Sequence, residues 1–244
     1  MSSATPLFIQ SGTELEGLCW VPNPDCHDVP KFTFCGQLMG ACIRSVENLV
    51  VDLPPFIWKK IAGSPVTVED FEVVAPTQVH SIRQVQEMDC SPDDFESLCL
   101  TFSFTMLGGE DVELVPDGDT LAVTLENRTE FCQLALQACM DQFDEQIALI
   151  RNGLNDYKIP TVALMLWTPD EFQERVAGLL EISIEALQRA ITLHGSGQQQ
   201  GFFWECCERL SMEQRGMLLK FASGRNRLPV HITISLGELH RQSE

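Results

Sequence analysis

The stretch "NRTEFCQLALQACMDQFDEQIALIRNGL", residues 127–154, predicts the helical character of this chain. Its apolar residues recur at alternating spacings of four and three, which places them on one face of an α-helix. Asn127 followed by Glu130 is typical of a helix start, because both side chains can satisfy unpaired amides of the first turn. The pattern predicts one long helix whose apolar face consists of Leu136, Met140, Phe143, Ile147, Ile150 and Leu154.

A strand is predicted upstream of this helix. In "LCLTFSFT", residues 98–105, apolar and small or polar residues alternate, so that Leu98, Leu100, Phe102 and Phe104 share one face. Turn signals at 108–109 and 116–119 then separate two further short strands. The prediction is an α+β fold that is mainly helical, with a small β-containing unit inserted after the first helices.

Other signals mark the boundaries of elements nearer the C-terminus. Helices are predicted to begin at Pro169 and after Ser211, and to end at Gly178 and Gly224. The segment "GSGQQQG", residues 195–201, is the one candidate for a flexible loop. "VHITIS", residues 230–235, alternates as a strand does.

Charge and composition exclude several classes of function. The chain has a net charge of -19, and its first 200 residues carry 30 Asp/Glu against 10 Lys/Arg. Such a surface repels phosphate backbones, so no nucleic-acid partner is expected; it suits either a basic protein partner or simple solubility. No signal peptide and no apolar run of membrane-spanning length occurs, so a cytoplasmic protein without a membrane partner is expected.

No reaction centre is visible in the residues themselves. The chain lacks a phosphate loop, a nucleotide fingerprint and a nucleophile elbow, so no cofactor is expected. The ten cysteines include no Cys-x-x-Cys pair, which argues against a structural metal. Cys206 and Cys207 lie in an apolar helical pattern, where burial would make a thiol inert. The residues alone indicate an interaction or scaffold domain.

A resemblance adds to this interpretation. The stretch "FCGQLMGACIRSVENLVVDLPPFIWKKIAGSPVTVEDF", residues 34–71, resembles the HECT-type ubiquitin-protein ligases, whose catalytic domain has a similar glycine-containing helix, a Leu-Pro-Pro-like turn and an aromatic and basic helix. The likeness continues in family order through "VELVPDGDTLAVTLENRTEF" (112–131), "LMLWTPDEFQERVAG" (164–178) and "FFWECCERLSMEQRGMLLKFASGRNRLP" (202–229). It covers residues 21–235.

The resemblance implies a domain organisation. A large N-lobe subdomain would comprise residues 1–66 and 129–177. Residues 67–128 would form a small subdomain that recruits the ubiquitin-conjugating enzyme. Gly178, Leu179 and Leu180 would be the hinge to a C-lobe, which residues 181–244 represent only in part.

The resemblance also implies a mechanism. Such ligases accept ubiquitin from a conjugating enzyme onto a cysteine as a thioester and pass it to a substrate lysine. That cysteine lies in a Thr-Cys-Phe-like motif well beyond the Arg-Leu-Pro, which here ends at Pro229. No such motif follows, so the nucleophile is expected beyond Glu244 and the chain is expected to be a truncated form. Protein substrates would be selected by regions that are not present.

The binding site for the conjugating enzyme is carried over position by position. An apolar groove on the small subdomain would receive an aromatic side chain of the enzyme. A further position of the groove that is usually apolar falls on Gln78, which would narrow the choice of enzyme or weaken binding. The alternative for each groove residue listed next is that its side chain simply packs in the core. The groove residues implied are Ile82, Val85, Met88, Leu98, Leu100 and Phe131.

Three hypotheses for function follow. The chain is part of a HECT-type ligase that is active only when complete, or it is a non-catalytic interaction module or decoy for conjugating enzymes. A helical scaffold without a connection to ubiquitin is the third, and the order of the motifs disfavours it.

Overall fold

Helices dominate the structure, a computed structural model, and short two-stranded sheets complete it, which confirms the α+β prediction. The structure describes residues 5–13, 17–45, 47–49, 51–179, 182–224, 228 and 231–236. The chain divides into two compact units, the first comprising 1–37 and 52–169, the second 38–51 and 170–244. The subdomain boundaries implied by the resemblance stay predictions.

The first unit contains a β-hairpin, helices and a second, smaller sheet. Its elements are β1 (Phe8–Thr13), β2 (Gly17–Pro22), α1 (Val29–Ser45), α2 (Pro55–Ala62), α3 (Val68–Glu72), α4 (Pro76–Glu87), α5 (Pro92–Glu96), β3 (Ser103–Thr105), β4 (Asp111–Glu113), α6 (Arg128–Asp141), α7 (Asp144–Asp156) and α8 (Thr161–Leu164). Both sheets are antiparallel pairs, β1 with β2 and β3 with β4. The C-terminal part of α1, from Leu38 onward, is counted with the second unit.

The second unit pairs its two strands in parallel. Its elements are α9 (Pro169–Ala177), α10 (Ile184–Ala190), β5 (Ile191–His194), α11 (Gly197–Arg209), α12 (Met212–Ser223) and β6 (Ile232–Ser235). In the β5–β6 register Ile191 lies opposite Ile232 and His194 opposite Ser235. The core of this unit consists of Ile182, Ala186, Leu187, Ala190, Ile191, Leu219 and Leu228.

Several predicted boundaries in the second unit are confirmed. Helix α9 begins at Pro169, and α12 is preceded by a capping box between Ser211 and Gln214. Gly224 ends α12 with a φ of 72°. The loop predicted at 195–201 is wrong from Gly197 onward, because α11 begins there. Ser196 and its partner Gln199 form a second capping box. This box starts a helix in a segment whose composition alone indicates a flexible loop.

The long helix predicted from Asn127 is also wrong, since it is broken into α6 and α7. Gln142 causes the break: its Nε2 donates to the Cys139 carbonyl at 2.6 Å, and its Oε1 accepts from the Leu107 amide at 3.1 Å. The Gln142 side chain therefore satisfies a backbone carbonyl in the last turn of α6. Phe143 then turns into the core, where its ring lies 6.1 Å from that of Phe56.

The start of α6 differs from the predicted cap as well. Asn127 precedes the helix but makes no capping hydrogen bond to it. Its side chain points back instead, accepting from the Thr124 amide at 2.7 Å and donating to the Ala122 carbonyl at 3.2 Å. Asn127 therefore fixes the segment that leads into α6 rather than the first turn.

Helices α1 and α7 cross at a distance that only glycine allows. A methyl group on Gly36 would lie 1.9 Å from the Ile150 carbonyl oxygen, and one on Gly153 would lie 1.9 Å from the Thr33 carbonyl oxygen. Each glycine thus makes room for the backbone of the other helix. Glycine inside a helix costs about 0.5–1 kcal/mol relative to alanine, and here that cost permits the close crossing.

Helix α7 also holds the loop that precedes α1. Gln146 is 1% exposed, and its Nε2 donates to the Pro24 carbonyl at 2.8 Å and to the Cys26 carbonyl at 3.4 Å. The backbone of α1 and the loop before it are therefore both positioned by α7.

We expect Gly153→Ala to lower the free energy of unfolding by about 1–3 kcal/mol, because the new methyl group meets a backbone atom that cannot rotate away. Urea denaturation measures the change. Gly201→Ala is the matched control, since a methyl group there has no atom within 4 Å and the substitution favours a helix. Wild-type stability of Gly153→Ala would show that the crossing is wider than described.

Candidate functional site

The small sheet of β3 and β4 lies against α6 through aromatic side chains. Phe104 pairs with Val112 in the β3–β4 register. A separate antiparallel bridge joins Thr101 to Ala122. The ring of Phe131, on α6, lies 5.8 Å from the ring of Phe102 and 6.4 Å from that of Phe104.

Leu100 lies just before Thr101, outside β3. Its carbonyl accepts a hydrogen bond from the Val123 amide at 2.8 Å, next to the bridge between Thr101 and Ala122.

Helix α4 packs on α6 and brings two more predicted residues to it. The Cys132 thiol donates to the Ile82 carbonyl with an Sγ–O distance of 3.6 Å. At the end of α4, Arg128 Nη1 donates to the Met88 carbonyl at 2.5 Å. Since Val85 lies three residues from each, Ile82, Val85 and Met88 follow one side of α4 and its C-cap.

Burial separates the six predicted groove residues into two groups. Ile82 and Phe131 are each 3% exposed, so they form a buried base. Val85, Met88 and Leu100 are half-buried and keep some surface for a partner. We call these three residues, with Leu98, the recruitment edge.

Leu98 lies apart from the strand that was predicted to contain it. That strand is shorter than predicted, because α5 ends at Glu96 and Cys99 adopts a left-handed φ of 52°. The Leu98 amide donates to the Phe95 carbonyl at 3.1 Å, so Leu98 belongs to the turn after α5, where it is 44% exposed. Local turn formation therefore replaces the first part of the strand.

Gln78 has a structural partner that explains its polarity. Its Nε2 donates to the Thr105 carbonyl at 2.8 Å, which ties α4 to the last residue of β3. Its Oε1 is buried without a hydrogen-bond partner. An apolar residue at this position would leave that carbonyl of the sheet without this donor.

Arg128 is a positioning residue that the sequence analysis missed. It fixes the Met88 carbonyl, and with it the C-terminal end of α4. One signal was present in the sequence, since Arg128 is the only Lys or Arg between Arg83 and Arg151. A single cation in a strongly acidic segment points to a specific partner.

An ion pair anchors the start of the 67–128 segment. Lys59, on α2, donates to both carboxylate oxygens of Asp70 at 2.6 and 2.7 Å, and the Thr67 amide donates to the same carboxylate at 2.9 Å. Burial by itself would raise the pKa of Asp70, but the hydrogen bonds from Lys59 and Thr67 outweigh it, so the pKa lies below its ordinary 3.8. The ionised form is therefore the one that the fold stabilises.

This anchor predicts a pH dependence of stability. Because the folded state lowers the pKa of Asp70, its contribution is present above about pH 4 and is lost as the pH falls through the lowered pKa. We expect Asp70→Asn to cost about 1–2 kcal/mol near neutral pH and progressively less as the pH falls below about 4, measured by urea denaturation.

Asp28→Asn provides the control for this variant. Asp28 pairs with Lys31 at the surface, where the side chains are 32% and 58% exposed, so its removal should change stability little at either pH. A loss for Asp70→Asn that is equal at neutral and acidic pH would contradict the assigned ion pair.

The predicted hinge residues lie at the end of α9. Gly178 has a φ of 83°, a conformation that favours glycine. Leu179 and Leu228 exchange two backbone hydrogen bonds of 3.1 and 3.0 Å. Leu180 lies outside the described residues.

The thiols differ in their chemistry. Burial raises the pKa of Cys139 to about 12 and raises the pKa of Cys207 as well. Cys99 and Cys206 are exposed. Within the described residues no group of three or more His, Cys, Asp or Glu is arranged to hold a metal, and no helix there has the length and apolarity to span a membrane.

Comparisons with known proteins agree on one family. The HECT-domain (ubiquitin-transferase) family matches residues 1–239. The E3 ubiquitin-protein ligase HERC2 of Mus musculus is 30% identical over 92% of this chain, and HACE1 of Gallus gallus is 28% identical over 91%. The probable ligase HECTD2 of Mus musculus is 26% identical over 86%.

The chain is therefore a member of the HECT-domain family, which confirms the resemblance. It spans 5% of the length of HERC2, 24% of HACE1 and 30% of HECTD2.

Proposed function

We propose that this chain serves ubiquitin transfer by recruiting a ubiquitin-conjugating enzyme at the recruitment edge. The observation that carries the proposal is that accessible apolar side chains lie in the same segment as a buried base, formed by Ile82 and Phe131. Ile82 and Phe131 are buried, and Cys132, next to Phe131 on α6, donates to the Ile82 carbonyl. Val85, Met88 and Leu100 are half-buried and Leu98 is exposed. Family membership supplies the class of partner, since HECT-domain proteins work with conjugating enzymes and ubiquitin.

The physics of the edge suits an aromatic anchor. A hot spot forms where a large side chain enters a desolvated pocket whose walls are already fixed. Phe131 packs on the rings of Phe102 and Phe104, and Cys132 donates to the Ile82 carbonyl, so α6 holds both the sheet and α4. Met88 contributes a flexible, polarisable side chain that adapts to different anchors.

We expect Met88→Asp to weaken binding of a conjugating enzyme by at least about tenfold, because a carboxylate replaces apolar contact area. NMR titration of the isotope-labelled enzyme with the unlabelled chain gives the dissociation constant. The matched control is Leu166→Asp, which introduces the same charge at a side chain that is 82% exposed and lies outside residues 67–128.

Equal binding by Met88→Asp and Leu166→Asp would contradict the recruitment edge. Circular dichroism of both variants establishes that they are folded, so that a loss of binding is assigned to the site.

The finer part of the proposal is that the chain by itself binds the conjugating enzyme without accepting ubiquitin. A thioester needs an accessible thiolate, and burial makes Cys139 and Cys207 poor candidates. Neither of the exposed thiols, Cys99 and Cys206, lies in the Thr-Cys-Phe-like context that the family's nucleophile occupies.

We expect no reductant-sensitive ubiquitin adduct on this chain after incubation with a ubiquitin-charged conjugating enzyme. Non-reducing electrophoresis with and without dithiothreitol detects such a thioester. Cys99→Ser and Cys206→Ser are run in parallel. An adduct that disappears in one of these variants would identify an acceptor thiol in this chain and overturn the proposal.

The hinge belongs to the same proposal. Leu179 is paired with Leu228 and moves with it, whereas Gly178 has the backbone freedom that rotation requires. The proposed hinge therefore centres on Gly178.

A further inference from the structure

The net charge of the chain is concentrated in the segment that carries the recruitment edge. Residues 67–128 contain fourteen Asp/Glu and two Lys/Arg, a net charge of -12 out of -19 for the whole chain. A quarter of the chain thus carries almost two thirds of its net negative charge. General solubility does not require such a concentration in one segment.

Most of these carboxylates are not neutralised by the protein itself. Asp70 pairs with Lys59, and Glu72 pairs with Arg83, which are the ion pairs of this segment in the described chain. Further acidic residues are exposed, namely Glu87, Asp89, Asp93, Asp94, Glu96, Glu110, Asp111, Glu113, Asp117, Asp119 and Glu126. Their charges face solvent and remain available to a partner.

Several of these charges are close to the recruitment edge in the sequence. Glu87 and Asp89 are the neighbours of Met88 along the chain, and Glu96 precedes Leu98 by two residues. All three are exposed. We call Glu87, Asp89 and Glu96 the acidic rim.

Other acidic residues of the segment lie on the opposite face of the sheet. Glu113 pairs with Ser103 and Asp111 with Thr105, and these positions alternate with Phe102 and Phe104, which face α6. The segment thus provides an internal comparison between charges at the edge and charges away from it.

We propose that the acidic rim selects conjugating enzymes that carry Lys or Arg beside the aromatic residue they insert. The inference rests on the proposed recruitment function and names the class of enzyme. Charges at the rim of an interface act through encounter rate and discrimination among partners, while the apolar anchor supplies most of the affinity. An enzyme with acidic residues in the same place is rejected by like-charge repulsion.

The experiment compares two double variants that each remove two charges from the same segment. Glu87→Gln with Asp89→Asn alters the rim, and Asp111→Asn with Glu113→Gln, on the opposite face of the sheet, is the matched control. Each full-length variant is titrated into a labelled conjugating enzyme that has two or more Lys or Arg beside its aromatic loop. The titrations are run at about 50 mM and about 300 mM salt, because screening distinguishes charge from contact.

The rim variant is expected to bind about three- to tenfold more weakly than wild type at low salt, with a smaller difference at high salt. The control variant is expected to bind within about twofold of wild type. Reversing the enzyme's basic residues to Glu should weaken binding to wild type more than to the rim variant.

The outcomes separate this inference from the proposed function. If Met88→Asp abolishes binding but the rim and control variants bind equally, recruitment stands and the rim has no selective role. If no conjugating enzyme binds the folded wild-type chain, the recruitment function and the acidic rim fail together.

Discussion

The close crossing of α1 and α7 is the constraint on which the rest of the first unit depends. Gly36 and Gly153 each face a backbone carbonyl of the other helix, so neither position tolerates a side chain without moving a helix. Because α7 also contacts α2 and holds the loop before α1 through Gln146, a displaced α7 would disturb the aromatic packing of Phe56 and Phe143. The two glycines thus set the geometry in which the other contacts form.

The candidate site is attached to this framework at two points. The Lys59–Asp70 pair joins α2 to the start of the 67–128 segment, and the packing of α4 on α6 joins its far side. Ile82, on α4, and Phe131, on α6, are both buried and form the base of the proposed recruitment edge. Preorganisation of this kind lowers the ordering cost of association, which leaves more of the contact energy for binding.

Local signals in the sequence were sufficient where the deciding contacts are also local. The capping box at Ser211 and the left-handed Gly224 were predicted because each depends on neighbours a few residues away. The break after α6 could not be predicted, since Gln142 bonds Leu107, thirty-five positions distant in sequence. The shortened strand has a different origin, because a local turn after α5 forms in a stretch whose alternating pattern also fits a strand.

For the candidate site the sequence alone indicated apolar faces, and the family resemblance was needed to suggest their role. Periodicity cannot distinguish a buried side chain from one at the edge of a groove, because both repeat with the same spacing. The structure makes that distinction between Phe131 and Met88. Arg128 was missed because its partner is a backbone carbonyl, which leaves no trace in side-chain patterns.

The parallel pairing of β5 with β6 has a consequence for how the second unit forms. Ile191 and Ile232 meet across about 40 residues that contain α11 and α12, so the strands pair only after a long loop has closed. Closing such a loop costs about 3 kcal/mol of chain entropy before the sheet repays it. Helices α11 and α12 need only hydrogen bonds within each helix and can form first, whereas β5 pairs with β6 only after β6 has left the ribosome.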